Sequence, residues 1–218
     1  MALRIAAACS LLLLAGCGGG DGGGGGNEAK GSPPNWPAPP NPMELTRDAV
    51  LVPERAEFLE YHVHAHLDVF FNGEPVTVPA GIGIDTTNPA VISDEQGVGL
   101  ERQRQCDKPC ISPLHTHATD GLLHTETKTP QPNTLGQFFI EWDVRLDSSC
   151  VGEFCDPEIP LESGTTTRAL QYSAASIAIY VDGEVDQGDP REIELSDGRE
   201  IAVVIGSAPA EIPSEFTQ

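Results

Sequence analysis

Residues Tyr61–Phe71 read YHVHAHLDVFF, and Asn72-Gly73 and then EPVTVPAGIGI follow directly. Alternation ending in Asn-Gly is a strong short-range signal for a β-hairpin, because both central positions of its two-residue turn need positive φ. Successive side chains leave a strand on opposite faces. Val63, Ala65, Leu67, Val69 and Phe71 therefore share one face, entirely apolar, which must be the core side. His62, His64, His66 and Asp68 share the other.

A second stretch repeats the pattern. Leu114–Glu126 reads LHTHATDGLLHTE, so the six histidines of this 218-residue chain all fall in two short alternating segments. With Asp120-Gly121 at a two-residue turn, His117 lies opposite His124 and His115 lies opposite Glu126. All four then project from one face of one hairpin. Opposed Cβ atoms are roughly 4.5–5.5 Å apart, a span that two imidazoles can bridge through a common ion. A one-residue slip would send His124 and Glu126 to the other face from His115 and His117.

Three uses of these residues compete: ordinary polar positions on a solvated face, a buried hydrogen-bond network oriented by Glu126, or a metal site. The metal site is favoured. Neutral imidazole is the commonest ligand for transition metals, and paired HxH strands with a same-face carboxylate suit one. His62 and His66 lie roughly 13 Å apart along a strand, so one ion cannot take both. At most two neighbours among His62, His64 and His66 serve one ion, and the third belongs to a second ion or a second shell. Imidazole with carboxylate suits zinc or copper(II). Only Met1 and Met43 occur, which excludes a methionine-rich copper(I) carrier. A cupin pattern also fails, because Glu126 stands nine residues beyond His117.

These residues resemble a group of exported proteins found in bacteria and archaea. Its signature is HxH on a strand before Asn-Gly, then LHTHxxxGxxHxE, then LGxFFxxW, here carried by Tyr61–Gly73, Leu114–Glu126 and Leu135–Trp142. The resemblance covers about Tyr61 to Cys155 and implies a shared site with metal ligands at His64, His66, His115, His117, His124 and Glu126, which leaves His62 and Asp68 to a second shell or a second ion. It names no chemistry. Ala118 stands where the pattern has an acidic residue, and Cys106 has no place in it.

The N-terminus, MALRIAAACSLLLLAGC, has a basic start, an apolar run too short to span a membrane and small residues before a cysteine. Leu14-Ala15-Gly16-Cys17 resembles a bacterial lipobox, implying removal of residues 1–16 and a lipid on the Cys17 sulfur. Gly18 after it points to the outer membrane if the cell is Gram-negative. Residues 17–44 are rich in glycine and then proline, and are expected to be a tether. Residues 45–218 are expected to form one β-rich domain.

Four cysteines remain: Cys106, Cys110, Cys150 and Cys155. Outside the cytoplasm an even set indicates disulfides, and four cysteines allow three pairings among which spacing does not choose. A thiolate metal site is the lesser alternative, since neither close pair is a CxxC. The net charge is −21, or −22 once Arg4 leaves with the signal. Such a surface repels nucleic acid and anionic lipid, which leaves the lipid anchor as the only membrane contact.

Thr134–Trp142, TLGQFFIEW, is the one clear helix. Thr134 and Gln137 form a capping box, and Leu135, Phe138, Phe139 and Trp142 make an apolar stripe. From Tyr172 onward, three or four strands follow with turns at Asp182-Gly183 and Asp197-Gly198. The expectation is a mostly β (α+β) fold, an antiparallel sandwich or open barrel of hairpins with one short helix. The leading function is metal binding, sensing or delivery at the cell envelope. The alternatives are a hydrolase using zinc-activated water, although no GxSxG or HExxH motif is present, and a structural lipoprotein without metal.

Overall fold

The computed structural model describes residues 28–95, 97–101, 104–158 and 173–216. The lipobox and Cys17 lie outside them. Two helices are described, α1 (Pro42–Asp48) and α2 (Leu135–Glu141). The strands are β1 (Tyr61–Phe71), β2 (Glu74–Val76), β3 (Val91–Asp94), β4 (Gly97–Leu100), β5 (Leu114–His115) and β6 (Leu122–Thr127), followed by β7 (Cys150–Val151), β8 (Phe154–Cys155), β9 (Ser173–Ala174), β10 (Ile177–Val181), β11 (Glu184–Val185) and β12 (Arg199–Ile205). The class is mostly β, with no closed barrel among the described residues.

The alternating stretch forms β1, and it turns into β2 at Asn72-Gly73 with φ of 50° and 84°. Ala65, Leu67, Val69 and Phe71 are buried as expected. The main sheet has seven strands, ordered β11-β10-β12-β1-β6-β5, with β2 also on β1. β12 occupies one edge of β1 from Ala65 to Phe71. β6 and β2 share the other, β6 along Tyr61–His66 and β2 along Val69–Phe71.

Two details differ from a set of hairpins. β12 runs parallel to β1, and Asp197-Gly198 does not close a hairpin. Instead, the Gly198 N–H donates to the His64 carbonyl, and Asp197 Oδ1 accepts from the His64 N–H. From Ile201 to Ile205, β12 is apolar and buried on both faces, as suits a central parallel strand.

Helix α2 carries the predicted capping box, with the Gln137 N–H donating to Thr134 Oγ1 and the Thr134 N–H to Gln137 Oε1. Its Leu135, Phe138 and Phe139, with Trp142 just beyond, enter one core with Leu123, Ile201, Val203, Ile205 and the apolar face of β1. The expected tether is docked over its second half. Ala29 is held through its N–H and carbonyl by the Asn72 side chain, and Trp36 packs edge-on against Trp142 at 5.7 Å. Helix α1 follows, starting at Pro42 and ahead of the expected boundary at 45; Pro42 and Leu45 are buried. A tryptophan among prolines gave that segment an anchor that its overall composition hid. The cysteines pair locally, Cys106 with Cys110 and Cys150 with Cys155.

One buried carboxyl links three elements. Glu141 of α2 accepts from Thr46 Oγ1 of α1 at 2.8 Å and from Ser112 Oγ, just before β5, at 2.6 Å. Burial pushes its pKa up to about 7 despite those two donors. A carboxyl raised on folding lends stability that is complete below its unfolded pKa near 4.5 and is lost as pH rises through 7. Glu141→Gln should remove this term. Denaturant titrations from pH 4.5 to 8 should show wild type falling relative to the variant by about 3 kcal/mol, at about 1.4 kcal/mol per unit. A constant difference would contradict the assignment.

Candidate metal centre

β6 lies between β1 and β5, and its polar face carries His124 and Glu126 into the middle of the histidine patch. Across one edge, His62 pairs with Glu126 and His64 with His124; across the other, His115 pairs with His124. The expected register of β5 against β6 is therefore displaced by two residues. Residues 116–121 form a loop rather than a two-residue turn. Thr116 bonds to Gly81 and Ile82, and the His117 carbonyl accepts from the Val98 N–H. Those partners outcompete β6 for the segment. A two-residue displacement keeps every side chain on its face, so the histidines still converge.

Glycine makes part of this possible. Gly83 passes under β5 with φ of +73°, and a Cβ there would sit 2.5 Å from the Leu114 carbonyl oxygen.

Backbone carbonyls fix two imidazoles. His115 Nδ1–H donates to the Ser112 carbonyl at 2.8 Å, and His117 Nδ1–H donates to the Val98 carbonyl at 2.6 Å. A carbonyl only accepts, so in each neutral ring the proton is on Nδ1 and Nε2 carries a lone pair. Those two Nε2 atoms face each other at 3.1 Å. Neither can donate to the other while both rings are neutral; a cation between them satisfies both. Ligand nitrogens bound tetrahedrally at about 2.0–2.1 Å stand about 3.3 Å apart, close to the separation found. A ring whose other nitrogen donates to a backbone carbonyl is the usual outer-shell arrangement of a metal-binding histidine.

Glu126 completes the set. One ligand atom from each of His115, His117, His124 and Glu126 lies within 4.8 Å of all the others. Glu126 Oε2 is buried and has no hydrogen-bond donor among the described residues; it lies 3.9 Å from His115 Nε2. Burial pushes Glu126 up, but the adjacent imidazoles, His124 foremost, outweigh it and hold its pKa down at about 2. Burial, reinforced by His117, holds His115 down at about 3. At neutral pH the pair is thus an ionised carboxylate and a neutral imidazole, both in the state that binds metal.

A second set shares His124 and adds His62 and His64. His64 Nε2 lies 3.2 Å from His124 Nδ1, and His62 Nε2 lies 3.2 Å from Glu126 Oε1. Burial, with help from His124 and His62, lowers the pKa of His64.

His66 is not brought to this patch. Its Nε2–H donates to the Asp120 carbonyl at 2.8 Å, and its Nδ1 lies 3.0 Å from Glu200 Oε1 and 3.8 Å from Asp68 Oδ2. The Glu200 hydrogen bond raises the His66 pKa. The expected order is thus exchanged: His62 adjoins the cluster, whereas His66 forms a separate group with Asp68 and Glu200. Glu200 escaped the sequence reading. Its only signal is a lone acid in an otherwise apolar strand, and its partner became visible only through the parallel pairing of His66 with Glu200. The four cysteines offer no thiolate ligand, since both pairs are disulfides.

No protein-family model, curated protein or solved structure matches this chain.

The tautomers are directly observable. Long-range nitrogen–proton NMR spectra of the chelator-treated protein at neutral pH should place the ring proton of both His115 and His117 on Nδ1. A proton on Nε2 of either ring would remove the facing lone pairs.

Proposed function

We propose that this protein is a lipid-anchored envelope protein that binds zinc or copper(II) through His115, His117, His124 and Glu126, for metal binding, sensing or delivery. The observation that carries the reading is the pair of Nε2 lone pairs facing each other at 3.1 Å, each fixed by a carbonyl on the far side of its ring. Fixed rings lose little freedom when an ion arrives, so binding energy is not spent on ordering them. Imidazole nitrogens with a single carboxylate favour a borderline transition ion over calcium or magnesium, which prefer all-oxygen shells.

The envelope location rests on the export-type N-terminus, the lipobox at Leu14–Cys17 and the two disulfides, which persist in oxidising compartments. The resemblance to exported proteins sharing the HxH and LHTHxxxGxxHxE segments belongs to the same reading. Ala29, Trp36 and Ala38 pack on the domain core, so that part of the expected tether belongs to the domain.

Metal-free protein titrated with zinc should bind stoichiometrically and gain about 2.7 kcal/mol of stability at a free concentration 100 times Kd. The double variant His115→Ala/His117→Ala should fold and lose affinity by more than the roughly 100-fold that outer-shell changes cost. Unchanged affinity would refute the assigned ligands. Separately, intact mass of the membrane-extracted protein should begin at a lipidated Cys17; an unmodified Cys17 would refute the anchor.

A further inference from the structure

We infer that the centre holds two transition-metal ions rather than one, an inner ion at His115, His117 and Glu126 and an outer ion at His62 and His64, with His124 between them. This rests on the metal-binding reading above and extends it to the number and inequality of the ions.

Metal–nitrogen and metal–oxygen bonds of about 2.0–2.2 Å keep the ligand atoms of one ion within roughly 4.4 Å of each other, even when opposite. The histidine patch exceeds that span. It divides into two sets that share His124, one with His115, His117 and Glu126 and the other with His62 and His64.

Glu126 stands where the two sets meet. Glu126 presents its oxygens to different sides. Oε1 faces His62 Nε2 at 3.2 Å and His124 Nδ1 at 3.6 Å, whereas Oε2 faces His115 Nε2 at 3.9 Å. Oε1 thus borders two members of the outer set without joining it, so Glu126 is a ligand of the inner ion and a charged neighbour of the outer one. The 3.2 Å between His64 Nε2 and His124 Nδ1 repeats, on the outer side, the separation suited to two nitrogens on one ion.

The two positions differ in access. His115 is 1% exposed and Glu126 is buried too, whereas His62 is an exposed residue. The inner ion is therefore retained and the outer ion exchanges with solvent. In a protein that senses or passes on metal, the outer position is the one that responds.

The test is stoichiometry. Full-length protein is stripped with chelator, loaded with excess zinc, desalted, and analysed for bound zinc by elemental mass spectrometry alongside calorimetric titration. Wild type should bind two ions per chain, one tightly and one at least about tenfold more weakly. His62→Ala/His64→Ala should bind one, tightly, with the same thermal unfolding as wild type when metal-free. The single variant His62→Ala, at an exposed position, should weaken only the second step, which covers any folding defect of the double variant. One ion in wild type would overturn the two-ion inference and leave the metal-binding reading standing. No ion would overturn both. Two ions retained in the double variant would move the second position elsewhere, with His66, Asp68 and Glu200 the next group to test, and would overturn the outer site at His62 and His64.

Discussion

Two nitrogen lone pairs held face to face are the constraint around which the centre is arranged. Left to themselves, neutral imidazoles 3.1 Å apart would rotate until one donated to the other. Here neither can do so without breaking its bond to a backbone carbonyl, Ser112 behind His115 and Val98 behind His117. Losing such a bond at a buried ring costs about 1–3 kcal/mol, more than free rotation would recover. The fold thus maintains an arrangement that is unfavourable on its own and is relieved by a positive charge between the rings.

That arrangement depends on the sheet. β6 presents His124 and Glu126 from the middle, flanked by β1 and β5, so three strands contribute to one patch without a long loop. The opposite face of the same strands is the hydrophobic core, closed by α2 and by Trp142 with its partner Trp36. Ser112 joins the two layers. Its carbonyl fixes His115 and its hydroxyl donates to Glu141, which is anchored in turn to α1 through Thr46. Ring orientation in the centre is therefore tied to helix packing on the other side of the sheet.

Much of this was legible in the sequence. Alternation in Tyr61–Phe71 sorted apolar from imidazole side chains correctly because period-two patterning is local, and Asn-Gly marked a real turn because only certain residues tolerate its dihedrals. The capped aromatic helix was legible for the same reason. What escaped was non-local. The parallel pairing of β1 with β12 joins residues over a hundred positions apart, and nothing in either strand names the other. The β5–β6 register was missed because Thr116 and His117 bond to residues 81–82 and 98, which Asp120-Gly121 cannot reveal. Convergence of the rings survived that error, since a displacement by two leaves the faces intact. The expected grouping of His66 with His64 failed, because His66 turns to Glu200.

The most direct measurement is a crystal structure of the zinc-loaded protein with an anomalous difference map. The account predicts a strong peak within about 2.3 Å of Nε2 of both His115 and His117, with each Nδ1 still donating to its carbonyl. A fully loaded crystal whose peaks lie only on surface carboxylates, with those two rings turned apart, would contradict it.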